Sequence, residues 1–285
     1  MTYAEAIVLA LGAAFFWAFA QVVGKIALEE FTSTTFNAIR ITLVAAFLTP
    51  IVLATGLQLG GTLPVILALS SGTLGIYAAS QIFFYTIKRS QAHITTTVAN
   101  SSPVFTVIFA LLILTEDVTA ALPFSLVMVV IGSLMHLPKN AGPVNWRWGV
   151  PLAIIVSVLW GFDQMLRKWV LNLNMGGLTF LWIAMVSAAL LFQVNALAKN
   201  SWRDFKFRRR YVGLAILSGL CGQMIGTFLH ISAVGFENVS ALAPITTASI
   251  PFGFLMSLVM VRERASKRAW AGMVLVFAGV ILAVL

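Results

Sequence analysis

Ten stretches of this chain are each apolar enough, over enough residues, to cross a lipid bilayer. They run over roughly 4–25, 35–55, 63–86, 94–115, 119–137, 148–168, 177–197, 211–233, 240–261 and 268–285. A hydrocarbon core of about 30 Å takes about 20 residues of helix. Only helices and closed barrels satisfy their backbone polar groups in lipid, and runs of this length predict helices. Composition agrees: 60% of the 285 residues are hydrophobic and 9% are charged, against about 25% charged in an average soluble domain. The breaks between runs are short and hold most of the charges, together with Gly60-Gly61, Gly176-Gly177, Pro64, Pro138 and Pro143. The longest polar stretch, Lys199–Arg210, is too short to fold alone. The expected fold is an all-α integral membrane protein of ten transmembrane helices.

The ten runs are two copies of five. A shift of 147 positions, without a gap, lays Ser71-Gly72-x-x-Gly75 on Ser218-Gly219-x-x-Gly222, Ser102 on Ser249, Phe105 on Phe252, Glu116 on Glu263 and Gly132 on Gly279. Nearer the start of each copy the shift is 143, pairing Trp17, Gln21 and Lys25 with Trp160, Gln164 and Lys168. The four-residue difference falls in loops. The expected organisation is a first five-helix repeat over 1–138, a connecting loop over 139–147 and a second repeat over 148–285. Because five is odd, the second copy enters the membrane in the opposite sense. Such inverted repeats build many alternating-access carriers, with the site where the copies meet.

Charge supplies an orientation. The net charge of +9 would suggest nucleic acid for a soluble chain, but here the cations cluster in membrane loops, so no nucleic-acid partner is expected. The odd-numbered loops and the helix ends beside them hold sixteen of the eighteen Lys and Arg; the other side holds Arg167 and Lys168. The positive-inside rule then places the odd loops in the cytoplasm and both termini outside. The single cysteine, Cys221, rules out an internal disulfide framework. The first residues lack a basic region and a cleavage site, so residues 4–24 read as a retained helix. His93, His136 and His230 are scattered without ligand-spaced partners, so neither a metal nor a cofactor is expected, and without a nucleotide fingerprint any coupling must come from a gradient.

Candidate site residues follow from polar side chains inside apolar runs, which in membranes face the bundle or a wet cavity. Trp17 with Gln21, and Trp160 with Gln164, fall on matched helical stripes, where a ring face and an amide suit a polar or cationic solute. Their plainer reading is an interfacial anchor, with Lys25 and Lys168 snorkelling to headgroups. Tyr77, Gln81 and Tyr85 share a four-residue spacing, and Gln223, Thr227 and His230 a comparable one; interhelical hydrogen bonds are their alternative role. Asn100 and Thr247 are repeat mates just before Pro103 and Pro251, where a kink frees a carbonyl. Asp163 is the acidic residue set clearly within an apolar run. It could hold a substrate amine or a proton, or simply pair with Arg167 one turn on. Gly72, Gly75 and Ala79 recur as Gly219, Gly222 and Gly226, a close-packing signal.

Phe16-Trp17-Ala18, Ala38-Ile39-Arg40-Ile41-Thr42-Leu43, Phe84-Tyr85-Thr86-Ile87-Lys88-Arg89-Ser90, Ser102-Pro103-Val104-Phe105 and the Thr115-Glu116 and Arg262-Glu263 turns resemble the EamA module of the drug/metabolite transporter superfamily. The resemblance covers the chain twice. It implies a multi-pass carrier of the cytoplasmic (inner) membrane that exports a small metabolite, often an amino acid or related solute, through a central cavity; the aromatic content favours amino acids or amines as the cargo. The family's usual orientation, with both termini inside, is the reverse of the one the charges predict. The implied partners are a small solute and the bilayer. Proton coupling is one option, and a monomer and a homodimer are both compatible. Other cargo classes, nucleotide-linked or quaternary ammonium, stay open. An intramembrane enzyme would need a nucleophile–base or metal set, for which His230 with Asp163 is the nearest approach; a receptor would need a signalling domain.

Overall fold

The computed structural model describes residues 2–89, 95, 98–117, 119–135, 148–203, 205–260 and 266–284, and among them every regular element is helical. The connecting loop 139–147, His93, His136 and the Arg262-Glu263 turn lie outside the described residues. The first half comprises α1 (Tyr3–Ala27), α2 (Ser33–Thr55), α3 (Thr62–Ser70), a π-helical segment (Ser71–Ala78), α4 (Ala79–Arg89), α5 (Ser102–Phe109) with a second π segment (Ala110–Leu114), and α6 (Ala121–Met135). The second half comprises α7 (Val150–Asn172), α8 (Gly177–Ala198), α9 (Arg209–Ser218), a third π segment (Gly219–Gly226), α10 (Thr227–Phe236), α11 (Val239–Thr246), α12 (Ser249–Met260) and α13 (Lys267–Val284).

Eight of the described helical stretches are long and apolar enough to cross a membrane: 3–27, 33–55, 62–88, 150–172, 177–198, 209–236, 239–260 and 267–284. Two shorter apolar helices, 102–114 and 121–135, occupy the remaining predicted runs. The outer surface is apolar, with Leu112 74% and Val259 78% exposed. Such a surface is stable against lipid tails and costly against water.

Local chemistry sets the helix ends. Thr2 and Glu5 form a reciprocal capping box that opens α1, and the Thr32 hydroxyl caps α2. The run predicted over 240–261 is broken rather than merely kinked. Pro251 has no N–H for the Thr247 carbonyl, which accepts from Ile250 N instead, at 2.8 Å, so the chain turns between α11 and α12. At the equivalent place in the first half, Asn100 and Ser101 form a turn and Ser102-Pro103 open α5.

Repeat positions exchange partners between the halves. Gly72, in the first π segment, packs on Ala184 and Ser187 of α8, while its mate Gly219 packs on Arg40 and Val44 of α2. Ser71 hydrogen-bonds to the Asp163 side chain, and its mate Ser218 donates to the carbonyl of Ala20, the counterpart of Asp163. Gly132 lies against Gly272 and Val276, and Gly279 against Ser125 and Val129. Small residues let backbones approach so closely, because dispersion and close packing replace the hydrophobic effect inside a bilayer. Each half is therefore seated on the other through reciprocal helix pairs, the third helix of each repeat on the second of the other and the two last helices on one another, and α1 packs against α9, α10, α11 and α12.

Candidate functional site

Where the halves meet, polar side chains surround a cleft holding about 750 Å³ of space between atoms, open side included. α1 supplies Trp17, Ala20 and Gln21; α2 supplies Arg40; the first π segment and α4 supply Gly75, Ile76, Phe83 and Phe84. Asn100, Ser102 and Pro103 come from the α5 entrance, and Trp160, Asp163, Gln164 and Arg167 from α7. Gly222, Gln223, Thr227 and Thr246 complete the wall. Glycines let the groups around it pack closely. A methyl on Gly161 would lie 2.8 Å from the Ser102 carbonyl, and one on Gly226 would lie 2.9 Å from Trp17 Cδ1.

One flank is a charged cluster. Arg167 and Asp163, one helical turn apart on α7, form a buried ion pair whose carboxylate also accepts the Ser71 hydroxyl. Arg167 Nη1 lies 3.4 Å from His230 Nδ1. A guanidinium can only donate, so that ring nitrogen accepts and the proton sits on Nε2. The face of Trp17 lies 5.6 Å from the guanidinium carbon, and its indole N–H donates to Thr227 Oγ1 at 3.4 Å. Asp163 thus takes the ion-pairing role that its spacing from Arg167 predicted.

The opposite flank holds Arg40, 3% exposed. Its Nε donates to Asn37 Oδ1 at 2.9 Å and its Nη2 to Ser80 Oγ at 3.3 Å. Phe84 and Phe36 cover the guanidinium at 4.6 and 5.2 Å. No acidic side chain among the described residues pairs with it. The charge tally placed Arg40 with a loop-flanking helix end, but α2 is buried continuously from Ser33 to Ile41, so this cation faces the interior. Neutral pairs complete the wall. Gln21 and Asn100 exchange amide hydrogen bonds at 3.2 Å in both directions, and Gln164 Nε2 reaches Ser102 Oγ at 3.3 Å.

Of the twelve residues selected from sequence, Trp17, Gln21, Asn100, Trp160, Asp163, Gln164 and Gln223 line this cleft. The other five lie off it. Tyr77 packs edge-on against Phe192 of α8, and Gln81 donates to Ser33 and Thr34 at the start of α2. Tyr85 is 40% exposed. His230 sits behind Trp17, ring centroids 5.2 Å apart, and Thr247 is buried with its hydroxyl on the Pro244 carbonyl. Polarity marks Tyr77, Gln81, His230 and Thr247 as interior groups, but their hydrogen bonds and ring contacts are with neighbouring helices or their own backbone. Sequence reasoning passed over Arg40 as a site residue. An arginine eight residues into an apolar helix, without an acidic residue one turn away, was the available signal.

Long apolar helices enclosing a polar-lined cleft define a multi-pass membrane protein. The profile of the EamA-like transporter family matches residues 4–137 and again 147–285, and the chain belongs to that family. A solved crystal structure, 15% identical, superposes over 99% of this chain and 97% of that one with a TM-score of 0.78, a likeness of fold. No curated protein matches the chain.

Proposed function

We propose that the protein is a secondary or facilitative carrier that moves a small polar metabolite, of the amino acid or amine class, by alternating access. In this reading all ten apolar runs span the membrane. Residues 1–138 and 148–285 form inverted halves, and the cleft between them is the central site. The observation that carries the reading is the cleft itself: charged and amide side chains from both halves converge where lipid cannot satisfy them. The reciprocal contacts of repeat mates support two halves that rock against one another around a fixed site. The membrane proposed is the cytoplasmic one, with export as the direction the family resemblance implies.

The test is flux. Purified protein in proteoliposomes, offered labelled amino acids, amines and nucleosides with and without a pH gradient, should move at least one solute faster than empty vesicles. A flux that depends on the gradient would establish coupling to protons. Failure to move any of the panel in either orientation would overturn the carrier reading.

A further inference from the structure

Within the carrier reading, and resting on it for the role of the cleft, we infer that the cargo must carry a carboxylate and that Arg40 is its anchor. Among the described residues, the cleft wall contains two guanidiniums, Arg40 and Arg167, and one carboxylate, Asp163. Asp163 is committed to Arg167 in a buried ion pair. The surplus positive charge is therefore that of Arg40.

That charge is held in a way that leaves it available. Asn37 and Ser80 occupy Nε and Nη2, while Nη1 makes no hydrogen bond among the described residues. Two phenyl faces screen the guanidinium without neutralising it. A cation inside a membrane bundle is costly unless an anion joins it, and the protein supplies none among the described residues. A buried guanidinium facing a cleft is a recognition group for a planar oxyanion, which its N–H edge can grip with directed, charge-assisted hydrogen bonds. One unpaired cation matches one negative charge; a phosphate monoester, with nearly two, would ask for a second. The cleft around Arg40 is otherwise aromatic and neutral, with Phe83, Phe84 and Trp160 on its wall. These surfaces suit the apolar body of a small organic acid. A simple amine brings positive charge toward an unpaired cation and is disfavoured. An amino acid and its deaminated acid share the chemistry that Arg40 reads.

A matched series separates these cases on the unmodified protein: L-phenylalanine, 3-phenylpropionate and 2-phenylethylamine, each measured for binding to the detergent-purified full chain and for flux in proteoliposomes. Both carboxylates should bind, and the amine should bind about tenfold to hundredfold more weakly, the loss expected when one charge-assisted contact is replaced by repulsion. If 3-phenylpropionate falls to the level of the amine while phenylalanine binds, the ammonium is also read and the carboxylate alone does not suffice, which overturns the anchor as the main determinant. Arg40→Lys, which keeps the charge and loses the fork, should weaken the carboxylates about tenfold, and Arg40→Gln should weaken them more while narrowing the gap to the amine. Should Arg40→Gln fail to purify, Arg40→Lys and the unmodified protein still decide the matter. Equal binding of the amine and the acids, or no carboxylate binding, overturns the proposal whatever the flux shows. Carboxylate binding without flux of any of the three leaves the anchor standing and counts against the carrier reading.

Discussion

Gly75 faces the carboxyl group of Asp163 so closely that a methyl on its Cα would sit 2.6 Å from Oδ1. The first half thereby hands the second a slot for its buried ion pair, and the Ser71 hydroxyl, one turn earlier, donates to the same carboxylate. Neither half could hold Asp163 in this way by itself.

Gly75→Ala should therefore displace Asp163 or part the π segment from α7. A loss of about 1–3 kcal/mol is expected from such overpacking, seen as a lower thermal midpoint and poorer monodispersity in detergent. Gly213 is the control, since a methyl there would meet nothing within 4 Å. Gly213→Ala should hold or gain about 0.5–1 kcal/mol, because alanine is the better helix former. Equal tolerance of both changes would sink the account of the slot.

Asp163→Asn should leave Arg167 buried without its counterion, at a cost of about 3–5 kcal/mol. Pairing it with Arg167→Met removes both charges, and the double variant should recover much of the loss. Thermal unfolding of the two single variants and the double variant gives the coupling directly. A double variant no better than Asp163→Asn would mean that the pair is not the reason these residues coexist.

Trp17 and Trp160 are repeat mates with different surroundings. Trp17 spends its N–H on Thr227 and its face on Arg167; Trp160 packs on Phe83, centroids 4.9 Å apart, and lines the cleft. Trp17→Ala should lower stability as well as transport. Trp160→Ala should weaken apparent affinity several-fold, the scale of one aromatic contact of about 0.5–1.5 kcal/mol, with the protein still monodisperse. Stability and transport per folded molecule, measured on the same samples, separate the two. Unchanged specific transport in both variants would retire this part of the site.

Glu116 ties the halves together at one end of the bundle. Its carboxylate accepts from Val239 N at 3.1 Å, Ser240 N at 2.8 Å and Ser240 Oγ at 2.6 Å, capping the start of α11. Glu116→Gln should cost about 1–2 kcal/mol through the lost charge at a helix N-terminus, whereas Asp117→Asn, on the exposed neighbour, should stay within about 0.5 kcal/mol. Matching midpoints for the two variants would show that the cap contributes nothing.

Orientation has its own experiment. The concentration of Lys and Arg on the odd loops predicts that the Lys199–Arg210 segment faces the cytoplasm. Lys206→Cys in a Cys221→Ala background should resist an impermeant maleimide in intact cells and react after permeabilisation. Rapid labelling of intact cells would reverse the assignment and place both termini inside.

Sequence alone determined the all-helical membrane character and the twofold repeat, and it offered the Asp163–Arg167 pair as one of the roles open to that carboxylate. Each of these depends on residues close in the chain, or on one copy compared with the other: hydropathy over a span, four-residue spacing along a helix, a constant shift. What it could not determine was which stripe of each helix faces the cleft. Tyr77, Gln81 and Tyr85 share one face only if the helix is regular. Tyr77 lies in the π-helical segment Ser71–Ala78, where bonds run from residue i to i+5, and the changed register parts it from Gln81: Tyr77 packs on α8 and Gln81 on α2, while Tyr85, one regular turn further along α4, is 40% exposed. The burial of Arg40 was likewise a tertiary decision. Hydropathy places it near the end of an apolar run, but α8 and the third π segment pack against α2 and close the membrane face around it. Hydropathy is a sum along the chain, whereas the electrostatic character of the cleft depends on which charges from distant segments are brought together and which of them are left without a counterion.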